Sequence, residues 1–186
     1  MADVGFSCRC GHLAGHITGL SARTGTRLLC HCSDCTRSLR HYGIDADQDA
    51  GVDLIQTSPE RVVIDTGADQ LGVARLSPRG LLRWYATCCG TPLFNTLSTP
   101  ALPLASVQTS RLSDPDACGP AVVHAFRKMP DGSVKTQGVL PLLTGFLGRA
   151  LKSRMTGAWK AGPFFDARTK LPVVDPELLP ADAGHG

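Results

Sequence analysis

Short runs of alternating apolar and polar residues dominate the first two thirds of the chain. Each run has four to six residues, a length and pattern typical of β-strands. Ser77-Pro78-Arg79-Gly80 predicts a hairpin turn between two of the runs, because proline fixes φ at the second turn position and glycine suits the fourth. The predicted strands are Val52–Gln56, Arg61–Asp65, Leu71–Leu76, Leu81–Tyr85, Pro92–Asn95, Leu104–Gln108 and Val122–Phe126.

The pattern becomes helical after Pro141. Apolar residues recur there at steps of three and four, and basic residues follow near the carboxyl end, where they complement the helix dipole. We predict a mainly β domain over residues 1–140, a helical extension over 141–171 packed on it, and an extended or disordered tail over 172–186. A helix that binds a membrane surface or a protein partner is the alternative to the packed helix. The apolar stripe comprises Leu142, Leu143, Phe146, Leu147, Ala150 and Leu151.

The composition supports one globular domain. A chain of 186 residues with 42% hydrophobic residues can bury a core, and its 20 Gly and 13 Pro favour short strands and turns over long helices. No apolar run reaches the roughly 18 residues of a membrane span, and the amino terminus lacks the pattern of a secretory signal. We therefore expect a cytoplasmic protein with no membrane span.

Charge is distributed unevenly, although the net charge is only +3. Residues 41–70 carry seven acidic residues against one arginine, whereas residues 141–172 carry six basic residues against one aspartate. The basic segment is not interleaved with aromatic residues that could stack on bases, so we expect no nucleic-acid partner. Glycine motifs that bind nucleotides are absent as well.

The eight cysteines carry the clearest chemical signal. Cys30, Cys32 and Cys35 lie within six residues, and in a reducing compartment such spacing is typical of metal ligands rather than disulfides. Thiolates favour zinc, and the spacings do not match those of iron–sulfur ferredoxins. Three sulfurs leave a fourth coordination position for a protein ligand, water or a substrate thiolate. We therefore predict a zinc site in this loop that can be catalytic.

A second site needs ligands from two distant parts of the chain. Cys8 and Cys10 cannot complete a tetrahedron alone, and Cys88 and Cys89 are the obvious donors, which gives one or two zinc ions per chain. Adjacent side chains diverge unless the backbone turns sharply, so free thiols or a vicinal disulfide are the alternatives at the latter pair. Cys118 stands alone in a turn-rich segment, and we expect it to bind no metal.

Three motifs hold these seven clustered cysteines: Ser7-Cys8-Arg9-Cys10-Gly11, Cys30-His31-Cys32-Ser33-Asp34-Cys35-Thr36-Arg37 and Cys89-Gly90-Thr91-Pro92-Leu93, the last preceded directly by Cys88. In order and spacing they resemble the glutathione-dependent formaldehyde-activating enzyme family, the Gfa/CENP-V group with the Mss4-like zinc fold. The resemblance covers roughly residues 5–125. It implies a fold of several curled antiparallel sheets, a structural zinc between the first and third motifs, and a catalytic zinc on the second.

The activity implied by the resemblance is that of a carbon–sulfur lyase, in which a thiol such as glutathione adds to formaldehyde. Within the second motif, Asp34 could relay a proton or form a turn, and His31 could tune the metal from outside its ligand shell. Arg37 and Arg40 could bind the carboxylates of a glutathione-like ligand or remain solvated. A zinc ion held by three thiolates is a weak Lewis acid, which favours thiol activation over hydroxide formation.

The third motif departs from the family pattern, which has its first cysteine where this chain has Ala86. Cys88 could substitute for it, His12 or His16 could complete the site, or the structural zinc could be absent; we predict Cys88. The alternative function is a non-catalytic, zinc-stabilised binding module, because structural zinc alone would explain all three motifs.

Overall fold

Strands form where the sequence alternates, and the computed structural model describes them over residues 3–180. All seven predicted strands are present, with ends shifted by at most two residues. In chain order the strands are β1 (Val4–Ser7), β2 (Ala14–Ile17), β3 (Thr26–Cys30), β4 (Val52–Thr57), β5 (Val62–Thr66), β6 (Leu71–Arg75), β7 (Leu82–Ala86), β8 (Thr91–Thr96), β9 (Ala105–Gln108), β10 (Val123–Lys128), β11 (Val134–Gln137) and β12 (Glu177–Leu178). The α-helices within these residues are α1 (Ser33–His41) and α2 (Val139–Thr156).

The strands form a small and a large sheet. The small sheet is antiparallel, in the order β1-β2-β5, and the large sheet has the order β11-β10-β3-β4-β9-β8-β7-β6-β12. Most neighbours in the large sheet are antiparallel, whereas β10 runs parallel to β3 and β12 parallel to β6. The predicted hairpin joins β6 to β7, and the Gly80 N–H donates to the Ser77 carbonyl over 3.0 Å. The predicted mainly β fold with a C-terminal helix is therefore confirmed.

The main core lies between the two sheets. The Phe6 ring from β1 meets the Phe94 ring from β8 edge to face, with centroids 5.0 Å apart. The chain beyond α2 returns to this core: Phe164 is 0% exposed, and its ring lies 5.0 Å from that of Trp84 and 5.3 Å from that of Phe94. A smaller core packs α1 against β3, β4 and β10, and Leu142 of α2 covers part of it. Residues after the helix thus help to hold the β-sheets together.

Several elements have no clear apolar periodicity and were not predicted, namely β1, β2, β3, β11, β12 and α1. Helix α1 begins where the Cys32 sulfur accepts a hydrogen bond from the Cys35 N–H, so a cysteine takes the capping role of serine or aspartate. Helix α2 begins at Val139, with Pro141 in its first turn, where a missing N–H costs no intrahelical bond. Neither α1 nor α2 combines the length and apolar character that crossing a bilayer requires.

The predicted tail is ordered along part of its length. Glu177–Leu178 pairs with β6 as β12, and Leu179 is buried. Residues 181–186 of that tail lie outside the described residues.

Candidate metal centres

Four cysteine sulfurs from two distant turns converge at one point. Cys8 and Cys10 follow β1, Cys88 and Cys89 follow β7, and all four Sγ atoms lie within 4.8 Å of one another. The Sγ of Cys10 is 3.5 Å from that of Cys8 and 3.3 Å from that of Cys88. Bonds of about 2.3 Å in a tetrahedron place ligand sulfurs about 3.8 Å apart, so this four-sulfur cluster fits a zinc ion with little adjustment.

A tight turn brings the two adjacent cysteines of the cluster to the same side. Gly90 adopts φ 64°, a left-handed conformation that favours glycine, and its N–H donates to the Ala86 carbonyl over 2.8 Å. The Sγ atoms of Cys88 and Cys89 are 3.9 Å apart and both thiols are free. Ala86 itself is buried in β7, and the third motif contributes Cys88 and Cys89 to the cluster.

The two histidines considered as alternative ligands lie outside the four-sulfur cluster. His12 Nδ1 is 3.7 Å from the Cys10 Sγ, which is a hydrogen-bonding contact with one sulfur. His16 Nδ1 is paired with the Asp65 carboxylate over 2.8 Å, across the β2–β5 interface. The lone Cys118 is buried away from both sulfur sets, and burial raises the pKa of its thiol to about 11.

The second sulfur set forms at the junction of β3 and α1. Cys30 ends the strand, Cys32 caps the helix and Cys35 lies in its first turn. The Cys30 Sγ is 3.3 Å from the Cys32 Sγ and 3.4 Å from the Cys35 Sγ, distances that also suit ligands of one small ion. Within residues 3–180, no fourth His, Cys, Asp or Glu ligand atom joins this three-sulfur cluster.

Cys32 is the member of the three-sulfur cluster that is stabilised as a thiolate. Hydrogen bonds from the Cys30 and Cys35 thiols lower the pKa of Cys32 to about 2, and those bonds together with burial raise the pKa of Cys30. Cys32 also accepts the Cys35 N–H at the amino end of α1, where the helix dipole favours an anion. Thiolates are the form in which cysteines bind metal.

Arg83 is the residue near this cluster that sequence reasoning missed. It lies on β7 and is only 5% exposed; its charge lowers the pKa of Cys32 and opposes the rise in the pKa of Cys35 that the Cys32 sulfur and burial cause. Its Nη1 donates to Asn95 Oδ1 over a long 3.4 Å, and its Nε is buried without a hydrogen-bond partner. No salt bridge joins its guanidinium to a carboxylate of the described residues. A charged residue inside the apolar run Leu81–Tyr85 was the available signal.

Two tyrosines lie beside Arg83. The Tyr42 ring at the end of α1 is 4.8 Å from the Tyr85 ring on β7, and the Tyr85 hydroxyl donates to the Glu177 carboxylate over 2.7 Å. The Tyr42 hydroxyl is buried and has no hydrogen-bond partner within residues 3–180, and burial raises its pKa. This contact joins the helix that carries Cys32 and Cys35 to the strand that leads to Cys88.

The polar residues predicted beside the three-sulfur cluster point in different directions. Asp34 is exposed, with its carboxylate 3.6 Å from the Arg37 guanidinium, which also donates to the Leu76 carbonyl over 3.5 Å. Arg40 donates to the Ala46 carbonyl through Nε and Nη2, over 3.1 and 2.8 Å. Of the two arginines, only Arg40 lines the same cleft as His31.

A cleft of about 830 Å³ reaches the second motif at His31. The His31 ring is buried and hydrogen-bonded to the Gln48 carbonyl over 3.0 Å, while its other nitrogen is 3.4 Å from a nitrogen of His124. The cleft combines basic and acidic side chains. They are His31, Arg40, Asp47, Asp49, Arg127 and Lys128.

The chain has little similarity to proteins of known function. No curated protein sequence gives a significant match. A crystal structure of a Rhodobacter sphaeroides protein, a structural-genomics target, is 18% identical, and the alignment covers 59% of this chain and 87% of that one with a TM-score of 0.42. A family of unknown function (DUF6151) matches residues 1–171, and the chain therefore belongs to that family.

Proposed function

We propose that this protein is a zinc-dependent carbon–sulfur lyase of the Gfa type, which joins a thiol such as glutathione to a small aldehyde such as formaldehyde. The observation that carries the proposal is the contrast between the two sulfur clusters. Four cysteines fill a tetrahedron and suit a structural zinc, whereas Cys30, Cys32 and Cys35 leave one position free of ligands from residues 3–180. A catalytic zinc site keeps one coordination position open for water or substrate, whereas a structural zinc site has all four positions filled by protein ligands.

A zinc ion on the three-sulfur cluster would supply a position at which a substrate thiol is bound and deprotonated. The chain's own residues prepare that position. The amino end of α1 and the buried Arg83 guanidinium both stabilise negative charge on the sulfurs, so the cluster can take up a further anion at lower cost. Burial of Cys30 and Cys35 keeps water away from two of the three ligands.

The reaction needs no oxidant or reductant. The substrate sulfur, having lost its proton, attacks the aldehyde carbon and forms a carbon–sulfur bond. The electron pair of the carbonyl bond moves to the oxygen, which takes up one proton, so the product is a hydroxymethyl thioether. Asp34 is our candidate for carrying the proton, because its carboxylate is exposed and only loosely paired with Arg37.

The cleft at His31 is our candidate site for the remainder of the thiol substrate. Arg40, Arg127 and Lys128 line it and can bind carboxylates such as those of glutathione. Arg37 donates to the Leu76 carbonyl and is absent from the lining of this cleft, so we assign the carboxylate contact to Arg40.

Zinc content and thiol-dependent aldehyde consumption test the proposal together. We expect two zinc ions per chain in the wild type, and one in both Cys10→Ser and Cys32→Ser. Cys118→Ser is the control, since it removes a thiol outside both clusters and should retain both ions. Glutathione-dependent consumption of formaldehyde should vanish in Cys32→Ser.

Cobalt substitution locates the thiol. Glutathione should change the thiolate-to-cobalt absorption of the wild type and of Cys10→Ser, but not that of Cys32→Ser. A fully loaded wild type that neither consumes formaldehyde nor responds to glutathione would refute the lyase proposal and leave a non-catalytic zinc module.

A further inference from the structure

Helix α2 exposes an apolar row. Its five members recur at steps of three and four residues and therefore share one face. Each is at least half exposed, from 50% at Leu143 to 78% at Met155. The row consists of Leu140, Leu143, Leu147, Leu151 and Met155.

The opposite face of α2 contacts the rest of the protein through Leu142, which packs on the smaller core, and through polar groups. Ser153 is 1% exposed, and Arg149 donates from its guanidinium to the Thr26 hydroxyl over 2.9 Å. A helix of a globular domain normally buries its apolar stripe and exposes its polar face. Here a second set of apolar residues stays exposed, and nothing within residues 3–180 covers this apolar row.

The apolar row lies in a strongly basic part of the chain. Residues 121–172 contain nine Lys and Arg residues against Asp131 and Asp166, a net charge of +7, so the rest of the chain carries a net −4. Lys152 and Arg154 are exposed on the last two turns of α2, and Lys160 follows directly. Trp159, at the same end, lies under the Arg154 guanidinium at 4.5 Å.

This charge argues against a second copy of the chain as the occupant of the apolar row. Two copies meeting through α2 would bring two +7 segments together, and like charges oppose such an interface. A protein partner is also a poor fit, because interface hot spots are enriched in Trp, Tyr and Arg, whereas this row has only Leu and Met. An anionic lipid surface matches both the apolar row and the basic residues beside it. Acyl chains accept the leucines, and anionic headgroups attract the flanking lysines and arginines.

We propose that α2 binds the surface of a membrane rich in anionic phospholipid, with the apolar row among the acyl chains and Lys152, Arg154 and Lys160 at the headgroups. The helix lies on the bilayer and does not cross it. This inference does not depend on the zinc chemistry, because neither sulfur cluster contributes a residue to α2.

Sedimentation with vesicles tests the inference on the zinc-loaded protein. We expect binding to phosphatidylcholine vesicles that contain phosphatidylserine, weak binding without it, and release by salt. Leu147→Glu should weaken binding by about tenfold or more, because it removes one inserted leucine. Leu102→Glu is the matched control, since Leu102 is exposed to a similar extent outside α2 and should bind as the wild type does.

A charge variant and light scattering complete the test. Lys152→Glu with Arg154→Glu should lose about tenfold or more in affinity for anionic vesicles while retaining its zinc. Absence of wild-type binding at low salt, or equal binding by the Leu147 and Leu102 variants, would overturn the proposal. A dimer in solution that Leu147→Glu dissociates would assign the row to self-association and would likewise overturn it.

Discussion

Replacement of Arg83 by methionine tests whether a buried charge sets the zinc affinity of the three-sulfur cluster. Methionine keeps much of the volume and flexibility of the arginine stem, so the packing around β7 changes little. The guanidinium makes one long hydrogen bond, of 3.4 Å to Asn95, and its Nε makes none. Loss of that bond should alter stability by no more than about 1 kcal/mol.

The charge matters more than the hydrogen bond. Three thiolates and one Zn²⁺ have a net charge of −1, and the nearby guanidinium makes the buried assembly neutral. Removal of a group that supports metal ligands typically costs about 10–100-fold in metal affinity, which corresponds to about 1.4–2.7 kcal/mol. We therefore expect Arg83→Met to weaken zinc binding at the three-sulfur cluster by that factor, and to leave the four-sulfur cluster unchanged.

Competition with a chelator of known affinity measures the three-sulfur cluster alone in a Cys10→Ser background and the four-sulfur cluster alone in a Cys32→Ser background. Arg79→Met is the control, because Arg79 is exposed in the turn that precedes the same strand. A three-sulfur cluster in Arg83→Met that keeps its wild-type zinc affinity would refute the reasoning, since the guanidinium would then contribute no charge to the site.

Three further predictions concern other parts of the chain. His16 should titrate above its ordinary pKa of 6.5, because Asp65 stabilises its charged form; the pair stabilises the fold below pH 6.5, and this contribution is lost as pH rises through the raised pKa. NMR titration should show the midpoint return towards 6.5 in Asp65→Asn, and an unchanged midpoint would contradict the pairing. Cys118, with a pKa of about 11 because of burial, should resist alkylation at about pH 8 in the folded protein, and rapid labelling in a mass-spectrometric assay would disprove its burial. Phe164→Ala should cost about 3–5 kcal/mol in urea unfolding, whereas Phe126→Ala, at a 55% exposed site, should cost less than about 1 kcal/mol; equal losses would contradict the assigned core.

The strands of the middle of the chain were predictable because they are short runs of apolar and β-branched residues between turn residues. Strand β4 illustrates this: its alternation and β-branched residues predicted Val52–Gln56, and the strand spans Val52–Thr57. Helix α1 was not predictable in this way. Its nine residues include only Cys35 and Leu39 as apolar members, and it is fixed by sulfur capping and by packing on β3. Tertiary contacts rather than local pattern determine such an element.

The cysteine clusters were predictable to different degrees. Spacing alone was enough for Cys30, Cys32 and Cys35, because a strand end and one helical turn bring them together. Spacing could not decide between Cys88 and a histidine, since the answer depends on the turn at Gly90. Arg83 was not predicted for a related reason. The order of the strands in the sheet decides which cluster lies near a charge on β7, and that order depends on contacts between distant parts of the sequence.

Sheet order also links the two sulfur clusters to each other. Strand β7 carries Arg83, which lies near the three-sulfur cluster. Five residues further along the chain, Cys88 belongs to the four-sulfur cluster. Helix α1 starts at Cys32 and ends at Tyr42, whose ring packs on Tyr85 of the same strand. A metal on the four-sulfur cluster would therefore fix the end of β7, and through it the position of the guanidinium near the other site. Because binding linkage is reciprocal, zinc on either cluster must then favour zinc on the other by the same factor.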